Sequence, residues 1–141
     1  MPHTPVMRFA APVLLGEQAE GVVSLTLVGD AILDPIRSYG SEQHGREVLV
    51  GQLGFYKAHH ERDKEWGGRL DLRTGESLMR DYGEATASDI LSGESGRLEI
   101  GPNVGYYQPI FPDPGNPKRY WVLLRTMPRT VVVAPVRRMR L

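Results

Sequence analysis

A chain of 141 residues, 40% hydrophobic and 24% charged, has the composition of one folded globular domain that can bury a core without cross-links. It contains no cysteine, which excludes disulfides and thiolate metal sites. No stretch approaches the ~18 apolar residues of a membrane span. Met1–Ala10 also lacks the charged-then-apolar order of a signal peptide. The expected location is therefore the cytoplasm, or a particle such as a virion assembled there, with no membrane partner.

The formal net charge is zero, but its distribution is uneven. Residues 1–15 and 114–141 hold no Asp or Glu; they carry Arg8, Lys118, Arg119, Arg125, Arg129, Arg137, Arg138 and Arg140. The middle of the chain holds the compensating acidic excess. A chain of this kind can pair its ends with its own body or with that of a neighbour.

Residues 1–15 read as an extended arm. Pro2, Pro5 and Pro12 oppose a helix, and Val6, Met7, Phe9, Val13, Leu14 and Leu15 are too apolar for a free tail. Gly21–Val28 alternates with β-branched residues and reads as a strand. Pro35, Gly40 and Gly45 make residues 30–46 a long loop with at most one helical turn. Glu47–Ala58 reads as a single strand with a bulge at Gly51-Gln52. A charged connection over His59–Trp66 leads through Gly67-Gly68 to a short strand at Arg69–Arg73.

Thr74–Leu91 is the helical region, with Leu78, Met79 and Tyr82 at helical spacing and Ser88 as the N-cap of a second short turn. Arg97–Ile100 and Val104–Phe111 read as strands around Gly101-Pro102-Asn103. Arg119–Thr126 and Thr130–Met139 read as a hairpin around Met127-Pro128, the second strand lying at an edge because of Pro135. The expected fold is mostly β: a small antiparallel β-sandwich or barrel of about seven short strands, with one or two helical turns and extended terminal arms. Its organisation is an arm over 1–15 and one β-rich domain over 16–141.

Three groups of residues carry candidate chemistry. Gly93-Glu94-Ser95-Gly96-Arg97 resembles the Gly-Asp-Ser-Gly segment around the nucleophile of chymotrypsin-like serine proteases, with His44 or His59 upstream in the matching order. That resemblance implies Ser95 as nucleophile and a histidine as base. It spans five residues, and the Arg-Leu-Glu-Ile that follows Ser95 departs from the family. His59, His60, Glu61 and Asp63 are metal-capable, although Arg62 and Lys64 are interleaved with them. Tyr106, Tyr107, Arg119, Tyr120, Trp121 and Arg125 combine stacking rings with cations, as single-stranded nucleic-acid sites do. No phosphate-binding glycine loop is present.

The sequence therefore leads to a non-enzymatic structural or assembly protein, in the general style of capsid decoration or cementing subunits. It would hold neighbouring copies or a larger shell through Val6, Met7, Phe9, Val13, Leu14, Arg137, Arg138 and Arg140. No catalytic residue, metal or cofactor is assigned. The alternatives are a β-barrel nucleic-acid-binding module and a small hydrolase using Ser95 or the His59/His60 cluster.

Overall fold

The computed structural model describes residues 3–132. The chain divides into two compact units, Met1–Pro35 and Ile36–Leu141. In the first unit, β1 (Val6–Leu15) pairs antiparallel with β2 (Gln18–Val28) around a turn at Gly16, whose φ is +63°. The stretch expected as an extended arm is thus extended, and its partner is the adjacent strand. At the base of the hairpin the Gly29 amide donates to the Pro5 carbonyl at 2.8 Å.

Helix α1 (Asp30–Arg37) carries the chain from one unit to the next. Sequence reading favours a loop here because of Pro35. The helix forms because Leu33 and Arg37, at i and i+4, both become buried, and an eight-residue helix loses only one backbone bond to its proline.

The second unit is built on one six-stranded sheet. Its order is β3 (Gly40–Ser41), β4 (Gly45–Gly51), β8 (Trp121–Pro128), β7 (Asn103–Ile110) and β6 (Gly96–Ile100), with β5 (Tyr56–Ala58) also pairing β4. All of these pairings are antiparallel, so the mostly β, antiparallel character read from the sequence holds. The Gly51-Gln52 irregularity is a full reversal between β4 and β5, closed by the Gly54 amide on the Gly51 carbonyl at 2.9 Å. Arg69–Arg73 forms turns instead of a strand. Met127 and Pro128 lie inside β8, and residues 129–132 are helical, so the expected turn at Met127-Pro128 is absent. The rest of the predicted last strand lies outside the described residues.

One face of the sheet carries Val48 and Val50 from β4, Tyr56 from β5, and Val122 and Leu124 from β8. All are buried, in one cluster with Leu78, Ala87 and Ile90. The last three come from α2 (Leu78–Tyr82) and α3 (Glu84–Ile90). These helices divide at Gly83, where φ is +84°. The N-cap is Ser77, whose hydroxyl accepts from the Arg80 amide at 3.2 Å; Ser88 lies within α3. Each buried Leu, Ile or Val contributes roughly 1.5–3 kcal/mol relative to exposure.

Candidate functional site

Among the described residues, a candidate site lies where the β4–β5 reversal meets the loop that follows β5. The tight Gly51–Gly54 turn lifts Leu53 to its tip and leaves Phe55 half-buried just before β5. Along β5 the side chains alternate: Tyr56 enters the helix-covered core, and Lys57 goes to the opposite face. There its ammonium stands 4.8 Å from the centre of the Trp66 ring and 5.7 Å from that of Trp121, a cation–π arrangement. Gly51 makes room for it, since a Cβ there would stand 3.1 Å from Lys57 Cε. Burial lowers the Lys57 pKa from its ordinary value, Asp71 partly restores it, and Arg119 lowers it further.

Residues 66–75 form a loop tied to itself. Trp66 N donates to Tyr56 O at 2.8 Å, Leu72 N to Trp66 O at 2.9 Å, and Gly75 N to Gly67 O at 3.0 Å. Asp71 N and Arg73 N both donate to Gly68 O at 3.1 Å. A Cβ at Gly67 would collide with the Glu76 backbone, so only glycine permits the close return of the loop. Trp66 and Arg73 adopt left-handed backbone conformations, with φ of +58° and +61°. Such residues cost about 1–3 kcal/mol each and persist where surrounding structure holds them.

Between the turn and the loop lies a cleft of about 760 Å³, within the range of roughly 300–1,000 Å³ typical of small-molecule sites. Its walls are Leu53, Phe55, Gly67, Gly68 and Leu70, with Arg69, Asp71 and Arg73 supplying charge. Leu70 is 98% and Leu53 82% exposed, the two highest values among the large hydrophobic residues described. Two large apolar side chains thus stand in water at the walls of the cleft. Sequence reading took 59–73 as a charged connection and a short strand. The Gly67-Gly68 pair was the available signal, but which residues face each other across it depends on the fold.

A second polar cluster is structural. Arg37 donates from Nε and Nη2 to the two oxygens of Glu65 at 2.6 and 2.7 Å, and His59 N donates to Glu65 Oε1 at 2.8 Å. Arg37 and Glu65 are both buried, so the carboxylate is held by charge-assisted bonds on both oxygens. Nearby, Tyr56 donates its hydroxyl to Asp81 at 2.7 Å, and Lys64 pairs with the same carboxylate at 3.0 Å. Burial, followed by the bond to Asp81, drives the Tyr56 phenol pKa upward.

His59, His60 and Glu61 do converge, with candidate ligand atoms within 4.8 Å of one another. However, His59 Nδ1 accepts the Glu61 amide at 2.9 Å, so the proton of the neutral ring sits on Nε2. A metal-bound imidazole instead coordinates through one bare nitrogen and donates from the other. Burial lowers the His59 pKa to about 4, which keeps the ring neutral. His60 stacks on it at 4.3 Å and approaches Glu61 at 3.3 Å. This cluster fits packing better than coordination.

The protease-like segment does not assemble. Among the described residues Ser95 has no bond to a histidine: His44 Nδ1 is 3.0 Å from Ser41 Oγ, and His59 serves the Glu61 amide. Four of the six residues considered for nucleic acid are engaged within the domain, while Tyr106 and Arg119 are exposed. Tyr120 donates to Leu91 O at 2.8 Å, Arg125 lies 4.3 Å over the Tyr39 ring, and Trp121 faces Lys57. Tyr107 packs against the core.

Of the residues proposed to hold a partner, Val6, Met7, Phe9, Val13 and Leu14 sit on β1; all but the half-buried Met7 are exposed. Arg137, Arg138 and Arg140 lie outside the described residues. Other end charges find partners within the chain: Arg8 bonds Thr26, Arg125 approaches Glu47 at 3.7 Å, and Arg129 pairs with Glu99 at 2.8 Å.

No protein-family model and no curated protein sequence matches this chain. Solved structures do. A domain named for a sensory box/GGDEF family protein of Vibrio parahaemolyticus matches at TM-score 0.70 and 16% identity, over 92% of this chain and 47% of that one. The extracellular domain named for the histidine kinase vpHK1S-Z8 matches at 0.67 and 14%, over 94% and 46%. The ligand-binding domain of the Pseudomonas aeruginosa PAO1 amino acid chemoreceptor PctC, in complex with GABA, matches at 0.64 and 17%, over 86% and 49%. The chain spans about half the length of these structures, and at such identities the likeness is one of fold. It corrects the expectation of a virion or capsid-type assembly protein, with its nucleic-acid and hydrolase alternatives, because the structures sharing this fold are sensory and ligand-binding domains. Two of the end cations, Arg125 and Arg129, stand near acidic partners within the chain.

Proposed function

We propose that this chain is a ligand-binding module of a sensory protein, of the extracellular kind named among its structural neighbours, and that the cleft beside the β4–β5 turn receives the ligand. The observation that carries this reading is the pairing of Leu53 and Leu70, almost wholly in solvent, across a cleft whose loop is braced by its own backbone bonds. A preformed, mostly apolar cleft with a few charged groups is the usual form of a small-molecule site. The neighbours in complex with GABA, L-leucine, L-isoleucine and L-alanine make small organic molecules the first class to test.

The test is a small-molecule library screened by thermal shift, with hits measured by titration calorimetry against the wild type and a Leu53→Ala/Leu70→Ser double variant. Both side chains are exposed, so the variant is expected to melt with the wild type and to bind hits about tenfold or more weakly, from the lost apolar contact. Hits that bind the variant undiminished would show that the ligand sits elsewhere.

A further inference from the structure

We propose that the ligand of the cleft is an organic monoanion with an apolar body, its carboxylate received by Arg69 and Arg73 and its hydrocarbon laid over Leu53, Leu70 and the Phe55 ring. This rests on the reading of the cleft as the ligand site and assigns its chemistry.

The charge on the cleft is positive on balance, with Arg69 and Arg73 against Asp71. Arg69 has no ion-pair or hydrogen-bond partner for its guanidinium among the described residues. Arg73 uses Nε alone, donating to the Arg69 carbonyl at 3.0 Å, which leaves its two terminal nitrogens available and keeps the two residues side by side. Paired guanidinium groups present planar forks of N–H donors, the geometry that matches a carboxylate. The one acid on the rim, Asp71, acts electrostatically on Lys57, the third cation of this corner, so an incoming ammonium would meet more positive charge than negative. The remaining walls are hydrocarbon or glycine backbone, and they offer little to the polar flank of a sugar or a nucleotide. Acceptor chemistry at one end and apolar surface at the other describe an aliphatic or aryl carboxylate.

Four probes on one carbon skeleton separate the alternatives: 4-methylpentanoate, 4-methylpentanamide, 4-methylpentylamine and L-leucine, each titrated calorimetrically into the full chain at low and moderate salt. The acid is expected to bind, the amide and amine at least about tenfold more weakly, and added salt to weaken the acid alone. An Arg69→Gln/Arg73→Gln variant, changed only at exposed side chains, is expected to lose about ten- to a hundredfold in affinity for the acid, as the loss of charge-assisted bonds implies. Its melting temperature before ligand addition should stay within a degree or two of the wild type.

An amide or amine equal to the acid overturns the proposal, as does undiminished acid binding by the Gln variant. L-leucine binding far more tightly than 4-methylpentanoate also overturns it, by showing that Asp71 holds an ammonium. If none of the four binds while library hits still depend on Leu53 and Leu70, the anion assignment falls and the sensory reading stands. If library hits ignore those leucines as well, both fall.

Discussion

The strand pair β1–β2 and the strand pair β4–β8 are both antiparallel and both rich in Val and Leu, yet Leu25 on β2 keeps 57% of its surface in solvent while Leu124 on β8 keeps none. By register and alternation, one face of the β1–β2 hairpin carries Met7, Phe9, Ala11 and Val13 against Leu27, Leu25, Val23 and Gly21, with no polar side chain among them. Leu124 instead stands opposite Val48 beneath α2 and α3. Pairing satisfies backbone donors and acceptors in both places, but burial requires a second layer, and among the described residues α2 and α3 supply one to the sheet of the second unit. Hydrophobic sequence is therefore a poor measure of where the stability resides. The same contrast recurs on a smaller scale at the cleft, where Leu53 stays in water three residues from the buried Tyr56.

This contrast is open to direct attack, beginning where the interior is most costly to disturb. Glu65→Ala takes the carboxylate from a buried guanidinium and should destabilise the second unit by about 3–5 kcal/mol, read as a lowered urea midpoint. A loss below about 1 kcal/mol would mean that the Arg37–Glu65 pair is well solvated. Leu124→Ala should then cost about 2–5 kcal/mol through its cavity, whereas Leu25→Ala should cost under about 1 kcal/mol. In hydrogen exchange, the amides of β1 and β2 should open well before those of β4 and β8. Equal losses for the two leucines would show that the hairpin face is covered in solution.

The third test uses pH. The folded-state pKa of His59 is held near 4, below the ordinary ~6.5 of the unfolded chain. Its stabilising contribution is complete above pH 6.5 and declines as pH falls through 4, by up to about 3 kcal/mol in all. His59→Asn keeps an acceptor for the Glu61 amide and removes the titration. The stability gap between wild type and variant should therefore narrow on acidification, and a gap constant from pH 7 to 4 would contradict a buried neutral ring. The smallest effect concerns the helical layer itself. Ser77→Ala removes the N-cap of α2 and should lower stability by about 1 kcal/mol, measured as a small downward shift in the thermal midpoint without loss of helical circular dichroism.

How much of this was legible varied from element to element. The strand over 21–28, the pair of strands around Gly101-Pro102 and the helical region near Leu78 all follow from local alternation, turn residues and spacing. Helix α1 was hidden by Pro35, and the Gly51-Gln52 break carried a reversal where a bulge was the simpler reading. At the site, Gly67-Gly68 was visible as punctuation and Arg69, Asp71 and Arg73 as isolated charges. Nothing in their spacing says that Leu53, from before β5, closes the other side. Likewise nothing local marks Lys57, whose setting depends on Trp66 and on Trp121 sixty-four residues away.

The sequence by itself determined the antiparallel, mostly β character, the turn at Gly101-Pro102 and the alternation that sorts each strand into two faces, because these depend on neighbours in the chain. The tertiary structure alone decided that β8 would lie between β4 and β7, that helices would cover one face of that sheet, and that the hairpin would keep its leucines exposed. It also decided that two loops would meet around a cleft lined with arginine. Those outcomes rest on contacts between residues far apart in sequence, which local propensity does not encode.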